Sequence, residues 1–310
     1  LFPHRSDPRK GLKEAVDIVG KLCQSLGSLG KSVRLLVPKG TEYALNVEEG
    51  HIYGRIYDVA LKRAAELGIG EQIILHDWIP YALLPEYYSL GTATLSIGSF
   101  VECFGSNSSI ESEACGTPCV ISRVAAQRYT FPEAMVYKVD PGDAEHTFEF
   151  LRGIVAGERR APLEDIRSFI KQEYDFKTMC TKYEEALIGT RRLPRLTFTP
   201  RSELTLDSRV RLASWCYVAG DRIYHDYEYR YVNDKPLAEL LRDGKSISVG
   251  HILASLRDRP EMTYSNELHR FCPGESAPCR PVGPDSRKFS QLLWNRLGAY
   301  LKHGILVPDL

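Results

Sequence analysis

The sequence predicts an α/β protein. Residues 1–190 read as a doubly wound parallel sheet, 191–200 as a linker, and 201–310 as a small α+β unit. Three observations carry this. Short apolar runs alternate with amphipathic stretches of helical period, the pattern of a parallel sheet covered on both faces. The alternation stops at Gly189–Pro200, GTRRLPRLTFTP, which carries two prolines and three arginines. Beyond it the pattern is weaker and ends in one strong helix followed by a short strand.

The elements follow in order. Leu1-Phe2-Pro3 reads as the tail of a strand, which suggests an upstream portion. Gly11–Leu26 is an amphipathic helix with Leu12, Ala15, Val16, Val19 and Leu22 on one stripe. Val33–Val37 is a buried strand, Lys39–His51 a loop, Ile52–Leu67 a helix, and Ile73–Leu75 a short strand. His76–Pro80 is a loop, Leu83–Tyr88 a helix, and Thr92–Ile97 a strand. Met135–Val139 is another strand. Helices follow over Ala144–Val155, Leu163–Glu173 and Phe176–Leu187.

Composition narrows the function. The 310 residues give room for two domains. Forty basic residues balance forty acidic ones, for a formal net charge of +0. That argues against broad binding of nucleic acid or anionic membrane. No apolar run approaches the ~20 residues that span a bilayer, and the start has no signal-peptide pattern. The eight cysteines are scattered, with Cys115 and Cys119 in apolar positions. They read as reduced thiols of a cytoplasmic protein.

The chemistry concentrates between Thr92 and Val124. After the strand comes a loop, Gly98–Gly105, carrying Glu102. Ser108 is expected to open a helix, with Ile110 and Ala114 at i,i+4 spacing. Gly116-Thr117-Pro118 should end it, and Cys119–Ser122 is a second buried strand. This is one parallel βαβ unit. A helix N-terminus suits a phosphate. The carboxylates Glu102 and Glu111 beside it suit a ligand that also carries hydroxyls, because a carboxylate accepts hydrogen bonds from a vicinal diol. Ser108-x-x-Glu111 is equally a capping box, in which the glutamate folds back on the helix start.

Glu102-Cys-Phe-Gly105, then Glu111, then Ala114-Cys-Gly-Thr-Pro118 resembles the nucleotide-sugar-binding signature of the family-four glycosyltransferases of GT-B fold. The family places seven residues between the two glutamates. Cys103–Ile110 makes eight here, with the extra residue around Ser106–Ser109. His4–Leu12, HRSDPRKGL, matches the family's G-R-x-x-P-x-K-G at Arg5, Pro8, Lys10 and Gly11, with His4 in place of the glycine. Phe131-Pro132-Glu133 and Pro141-Gly142-Asp143 also fit the pattern.

The resemblance implies the Rossmann-like donor half of a retaining GT-B glycosyltransferase. Arg5 and Lys10 would grip the donor diphosphate, and Glu102 would contact the sugar. Glu111 would hold the ribose. Gly105, Ser106, Asn107 and Ser108 would form the loop and helix start against the phosphates, and Ile79 would meet the base. The donor would be a nucleoside diphosphate sugar, such as a UDP-sugar, with no obligatory metal. The acceptor is open: a peptide, a protein or a glycan. The family's acceptor-binding domain would lie upstream, on the same or another chain. The alternative is a non-catalytic nucleotide-sugar-binding or assembly subunit.

The resemblance ends at the linker. In the second unit, Tyr227, Tyr229 and Tyr231 alternate with charged residues as in a half-exposed strand. Pro236–Leu241, Ser248–Leu256 and Phe289–Leu301 read as helices, and Ile305–Val307 as a strand. The closing helix and strand bear a winged-helix likeness. From Leu196 to Leu310 there are 16 Lys and Arg against 14 Asp and Glu, no footprint for nucleic acid. Docking of a peptide or partner fits the unit better. His269, Cys272 and Cys279 match no standard zinc spacing, and no metal is expected.

Overall fold

The computed structural model describes residues 1–4, 7–39, 47–99, 107–158, 163–189, 205–257 and 287–309. It divides into two compact units, Leu1–Leu193 and Pro194–Leu310.

The first unit is built on parallel strands. β1 (Leu35–Pro38) pairs in parallel with β2 (Ile73–His76), Leu35 opposite Ile73. β3 (Thr94–Ser96), β4 (Cys119–Ser122) and β5 (Tyr137–Val139) form a second parallel set in that order. Leu1–Phe2 joins the two sets. The Phe2 N–H donates to Leu36 O at 3.0 Å, and the Leu95 N–H donates to Leu1 O at 2.8 Å. The spatial order is therefore β2, β1, the Leu1–Phe2 segment, β3, β4, β5. With Leu1–Phe2 counted first, this is the 3-2-1-4-5-6 order of a doubly wound fold, whose ligands bind where the order reverses.

Alternate residues along each strand face opposite layers. Phe2, Leu35, Val37, Leu95 and Val120 join one core with α1 (Leu12–Ser25), α2 (Val47–Glu66) and α6 (Ala144–Val155). Cys119 and Ile121 face the other layer, with Ile166 and Ile170 of α7 (Leu163–Tyr174) and Ile110 of α4 (Asn107–Ala114). Leu1 packs there with Tyr87 and Tyr88 of α3 (Leu84–Ser89). α5 (Gln127–Thr130) is a single turn that the apolar pattern did not mark. α8 (Phe176–Gly189) ends the unit with no fully buried residue.

Two boundaries differ from expectation. α2 begins at Val47, inside the stretch read as a loop. α4 begins at Asn107, one residue before Ser108. Its end is a Schellman motif: the Thr117 N–H reaches Ser112 O and the Gly116 N–H reaches Glu113 O, each at 3.0 Å. Gly116 has φ +86°, which a residue with a Cβ adopts only with strain.

The second unit has two antiparallel sheets. β6 (Arg209–Leu212) lies between β10 (Ile247–Ser248) and β11 (Leu306–Pro308). β7 (Cys216–Ala219), β8 (Arg222–His225) and β9 (Arg230–Val232) form a meander. α9 (Lys235–Leu241), α10 (Val249–Arg257) and the terminal helix Arg287–Lys302 cover them. The core holds Val210, Ile223, Val232, Leu237, Ile252, Leu297 and Ile305. The strand expected through Tyr227, Tyr229 and Tyr231 is only Arg230–Val232, because Tyr229 sits at φ +51° in the preceding turn.

Candidate functional site

A cavity of about 440 Å³ opens on the carboxyl side of the sheet, where the strand order reverses. Pro3, His4, Lys10, Pro38, Trp78, Ile79, Tyr81, Leu84, Tyr87, Tyr88, Asn107, Ser108 and Glu111 line it. Five residues singled out from the sequence meet there: Lys10, Ile79, Asn107, Ser108 and Glu111. Four others, Arg5, Glu102, Gly105 and Ser106, lie outside the described residues, as do His269, Cys272 and Cys279.

Lys10 is placed by a short 3-10 turn, Pro8–Lys10, capped by Asp7. The buried Asp7 carboxylate accepts the Arg9 N–H at 2.9 Å and ion-pairs with the Arg9 guanidinium at 2.7 Å. Those contacts hold its pKa below the usual carboxylate range although burial alone would raise it. The turn lies directly on the end of β3, where the Ser99 N–H donates to Arg9 O at 2.9 Å. Gly98 makes this approach possible, since a Cβ there would stand 2.4 Å from Arg9 O.

His4 fills the position where the resemblance has glycine. Its ring is buried and its Nε2 lies 3.1 Å from Leu95 O. A carbonyl only accepts, so Nε2 carries the proton. Burial, helped by the charge of Lys10, lowers the His4 pKa to about 3, so the ring is neutral at physiological pH.

Glu111 sits on the cavity wall, and the Tyr88 hydroxyl donates to its Oε2 at 2.9 Å. The capping-box reading fails on this geometry. Ser108 is already inside the helix, and the Glu111 carboxylate turns to Tyr88 rather than back to the helix start. Tyr88 is almost fully buried, and burial, with the Glu111 charge added, holds its phenol well above its ordinary pKa. It remains a donor across the whole physiological range. The Thr117 hydroxyl anchors Tyr88 by donating to its backbone carbonyl at 2.6 Å. The Ser112 hydroxyl joins the same buried set, 2.7 Å from Thr94 Oγ1 and 2.9 Å from Thr117 O.

The rest of the lining includes the aromatic and apolar side chains of Trp78, Ile79, Tyr81, Leu84 and Tyr87. Trp78 and Tyr81 are exposed at 50% and 83%, so flat faces are available at the mouth. A cationic side, a carboxylate held in place and an aromatic rim can together accept an anionic ligand that also bears hydroxyls and a ring.

Comparison with known proteins bears on this geometry. A D-inositol 3-phosphate glycosyltransferase of Acidothermus cellulolyticus is 30% identical over 124 residues, 40% of this chain and 25% of that protein. The crystal structure of Anabaena HepE in complex with UDP superposes with a TM-score of 0.50 at 14% identity, over 61% of this chain and 48% of that one. The chain is similar over that stretch to a group 1 glycosyltransferase, and its first unit has the fold of the GT-B structures. No family model matches it. The matched part spans a quarter of the curated relative's length and about half of HepE's.

Within this GT-B unit, sequence reasoning missed Tyr88, Asp7 and the aromatic rim. Tyr88 and Glu111 lie 23 positions apart on different helices, and no spacing rule connects them. Asp7 was visible as an Asp-Pro pair, a familiar start for a turn. Among the described residues, no helix is long and apolar enough to cross a membrane.

Proposed function

We propose that residues 1–190 form the donor-binding half of a retaining glycosyltransferase that takes a sugar from a nucleoside diphosphate sugar. The observation that carries this reading is the convergence of Lys10, Ile79, Asn107, Ser108 and Glu111 on one cavity at the switch point of the sheet. In this reading the diphosphate lies along Lys10 and the start of α4, where a fixed cation and helix N–H groups offset the charge that grows as the sugar departs. The resemblance adds Arg5 and the loop Gly105–Ser106 to the diphosphate contacts. Glu111 accepts from the ribose hydroxyls, the base lies by Ile79, and Glu102 reaches the sugar. The anomeric C–O bond to the diphosphate breaks, an acceptor hydroxyl oxygen bonds to that carbon from the same face, and the hydroxyl proton passes to the departing diphosphate.

No metal is required in this scheme, because Arg5 and Lys10 supply the positive charge. In this reading the acceptor is bound by a separate domain, on the same or another chain. A reducing compartment such as the cytoplasm suits the free thiols of Cys23, Cys115, Cys119, Cys180 and Cys216.

The test is calorimetry with UDP, GDP and ADP and their sugar conjugates, with and without a chelator. Binding of at least one, unchanged by the chelator, is expected. Binding of none would end this reading. Hydrolysis or transfer with retained anomeric configuration, read by NMR, would separate an enzyme from a subunit that only holds the donor.

A further inference from the structure

We propose that Tyr88 is a positioning residue for ribose recognition: its hydroxyl holds the Glu111 carboxylate through Oε2, so that Oε1 is presented to the ligand's diol. This rests on the donor-binding reading above and adds to it the residue that sets discrimination for ribose.

The argument starts with the carboxylate. A glutamate on a cavity wall has three side-chain torsions, and ordering it costs entropy each time a ligand binds. A hydrogen bond from a fixed donor removes that cost beforehand, which is how preorganisation gains affinity. Tyr88 is such a donor. Its ring is almost fully buried and packs edge-on against Tyr87 at 5.7 Å. Its backbone carbonyl accepts the Thr117 hydroxyl at 2.6 Å. Its own hydroxyl then reaches Glu111 Oε2 at 2.9 Å.

A carboxylate offers about four lone-pair sites. Tyr88 takes one, which leaves enough for two ribose hydroxyls while defining which oxygen faces them. Thr117 belongs to the segment after α4, and Tyr88 to α3. The chain Thr117–Tyr88–Glu111 therefore ties three separate elements to one contact.

The experiment is calorimetry on the full chain, with UDP, GDP and ADP and the 2′-deoxy and 3′-deoxy forms of whichever binds best. Wild type should prefer the ribose form. Tyr88→Phe keeps the ring and removes only the hydroxyl. It should weaken the ribose form by roughly tenfold, and the preference for ribose should shrink towards unity. Glu111→Gln should lose the same preference, and the double variant should be no worse than Glu111→Gln alone, because both changes act on one contact.

A Tyr88→Phe variant that keeps the full preference overturns the proposal while leaving the donor reading intact. If no diphosphate binds wild type, both fall. Should Tyr88→Phe fail to fold, Thr117→Val and Thr117→Ser decide. The valine should erode the ribose preference and the serine should restore it; an equal preference in both variants overturns the proposal.

Discussion

The carbonyl of Arg9 accepts the N–H of Ser99 at 2.9 Å, across 90 positions of chain. This contact docks the loop before α1 on the end of β3, and it places Lys10 beside the start of the stretch that leads to α4. It depends on Gly98. A methyl there would press on Arg9 O at 2.4 Å and force the two backbones apart. Gly98→Ala should cost about 1–3 kcal/mol, the usual range for overpacking, and should weaken diphosphate binding as Lys10 moves. Urea melts with parallel calorimetry check both. Unchanged stability and affinity would show that the contact does not hold Lys10.

Lys10 supplies the cationic side of the cavity. Lys10→Ala should weaken binding of a nucleoside diphosphate by about 1.5–3 kcal/mol, the range for hydrogen bonds to charged groups. Binding of the bare nucleoside should change far less. Arg5→Ala is expected to behave in the same way. Equal losses for the two ligands would remove these residues from diphosphate recognition.

Glu113 gives the first unit a pH dependence. It is fully buried on α4 and accepts the Cys119 N–H at 2.6 Å, while its Oε2 has no partner among the described residues. Burial pushes its pKa up to about 8, against a small opposing pull from the Cys119 N–H. Between its unfolded value near 4.5 and about 8, the folded state then binds the extra proton. Stability from this group is present at low pH and lost as pH rises through that window. Glu113→Gln keeps an acceptor for Cys119 and removes the titration. The variant should be more stable than wild type at pH 8, by about 1 kcal/mol or more. The gap should close towards pH 5. Thermal melts across that range measure it, and a constant gap would mean that Glu113 does not titrate there.

The second unit is fastened by a buried charge cluster. Asp234 caps α9 through the Leu237 N–H at 3.1 Å, and its other oxygen accepts from Tyr300 and pairs with Arg296 of the terminal helix. Arg296 also donates to the Tyr300 hydroxyl at 3.0 Å. Asp234→Ala would remove the carboxylate that the buried Arg296 guanidinium and the Tyr300 hydroxyl share, so a loss of about 3–5 kcal/mol is expected. Asp234→Ala with Arg296→Met should cost less than the two separate losses together. Additive losses in denaturant melts would mean that the pair is not coupled.

Much of the first unit was legible in the sequence. Helices over Leu12–Ser25, Ala144–Val155 and Leu163–Tyr174 follow from apolar periods of 3.6, and the strand Cys119–Ser122 from a short apolar run that suits a strand buried on both faces. These periods are local, and burying one face is what they encode. The Gly116 stop is local as well, since a left-handed turn selects glycine whatever surrounds it. In the second unit, β6, β7 and β8 were not read at all. Each is four residues long, and runs that short leave little period to detect.

What the sequence by itself determined is the order of elements, the parallel α/β architecture of the first unit, and a set of residues whose chemistry suits one kind of ligand. Tertiary structure alone decided which of them meet. Leu1–Phe2 came to bridge the two parallel sets because Leu36 accepts and Leu95 donates on either side of it. Glu111 turned from capping its own helix to the Tyr88 hydroxyl, and Glu113, two residues on, was buried where its carboxyl holds a proton. Both outcomes depend on groups far away in the chain. A carboxylate's partner and its solvation are set by packing between elements, and no local period carries that information.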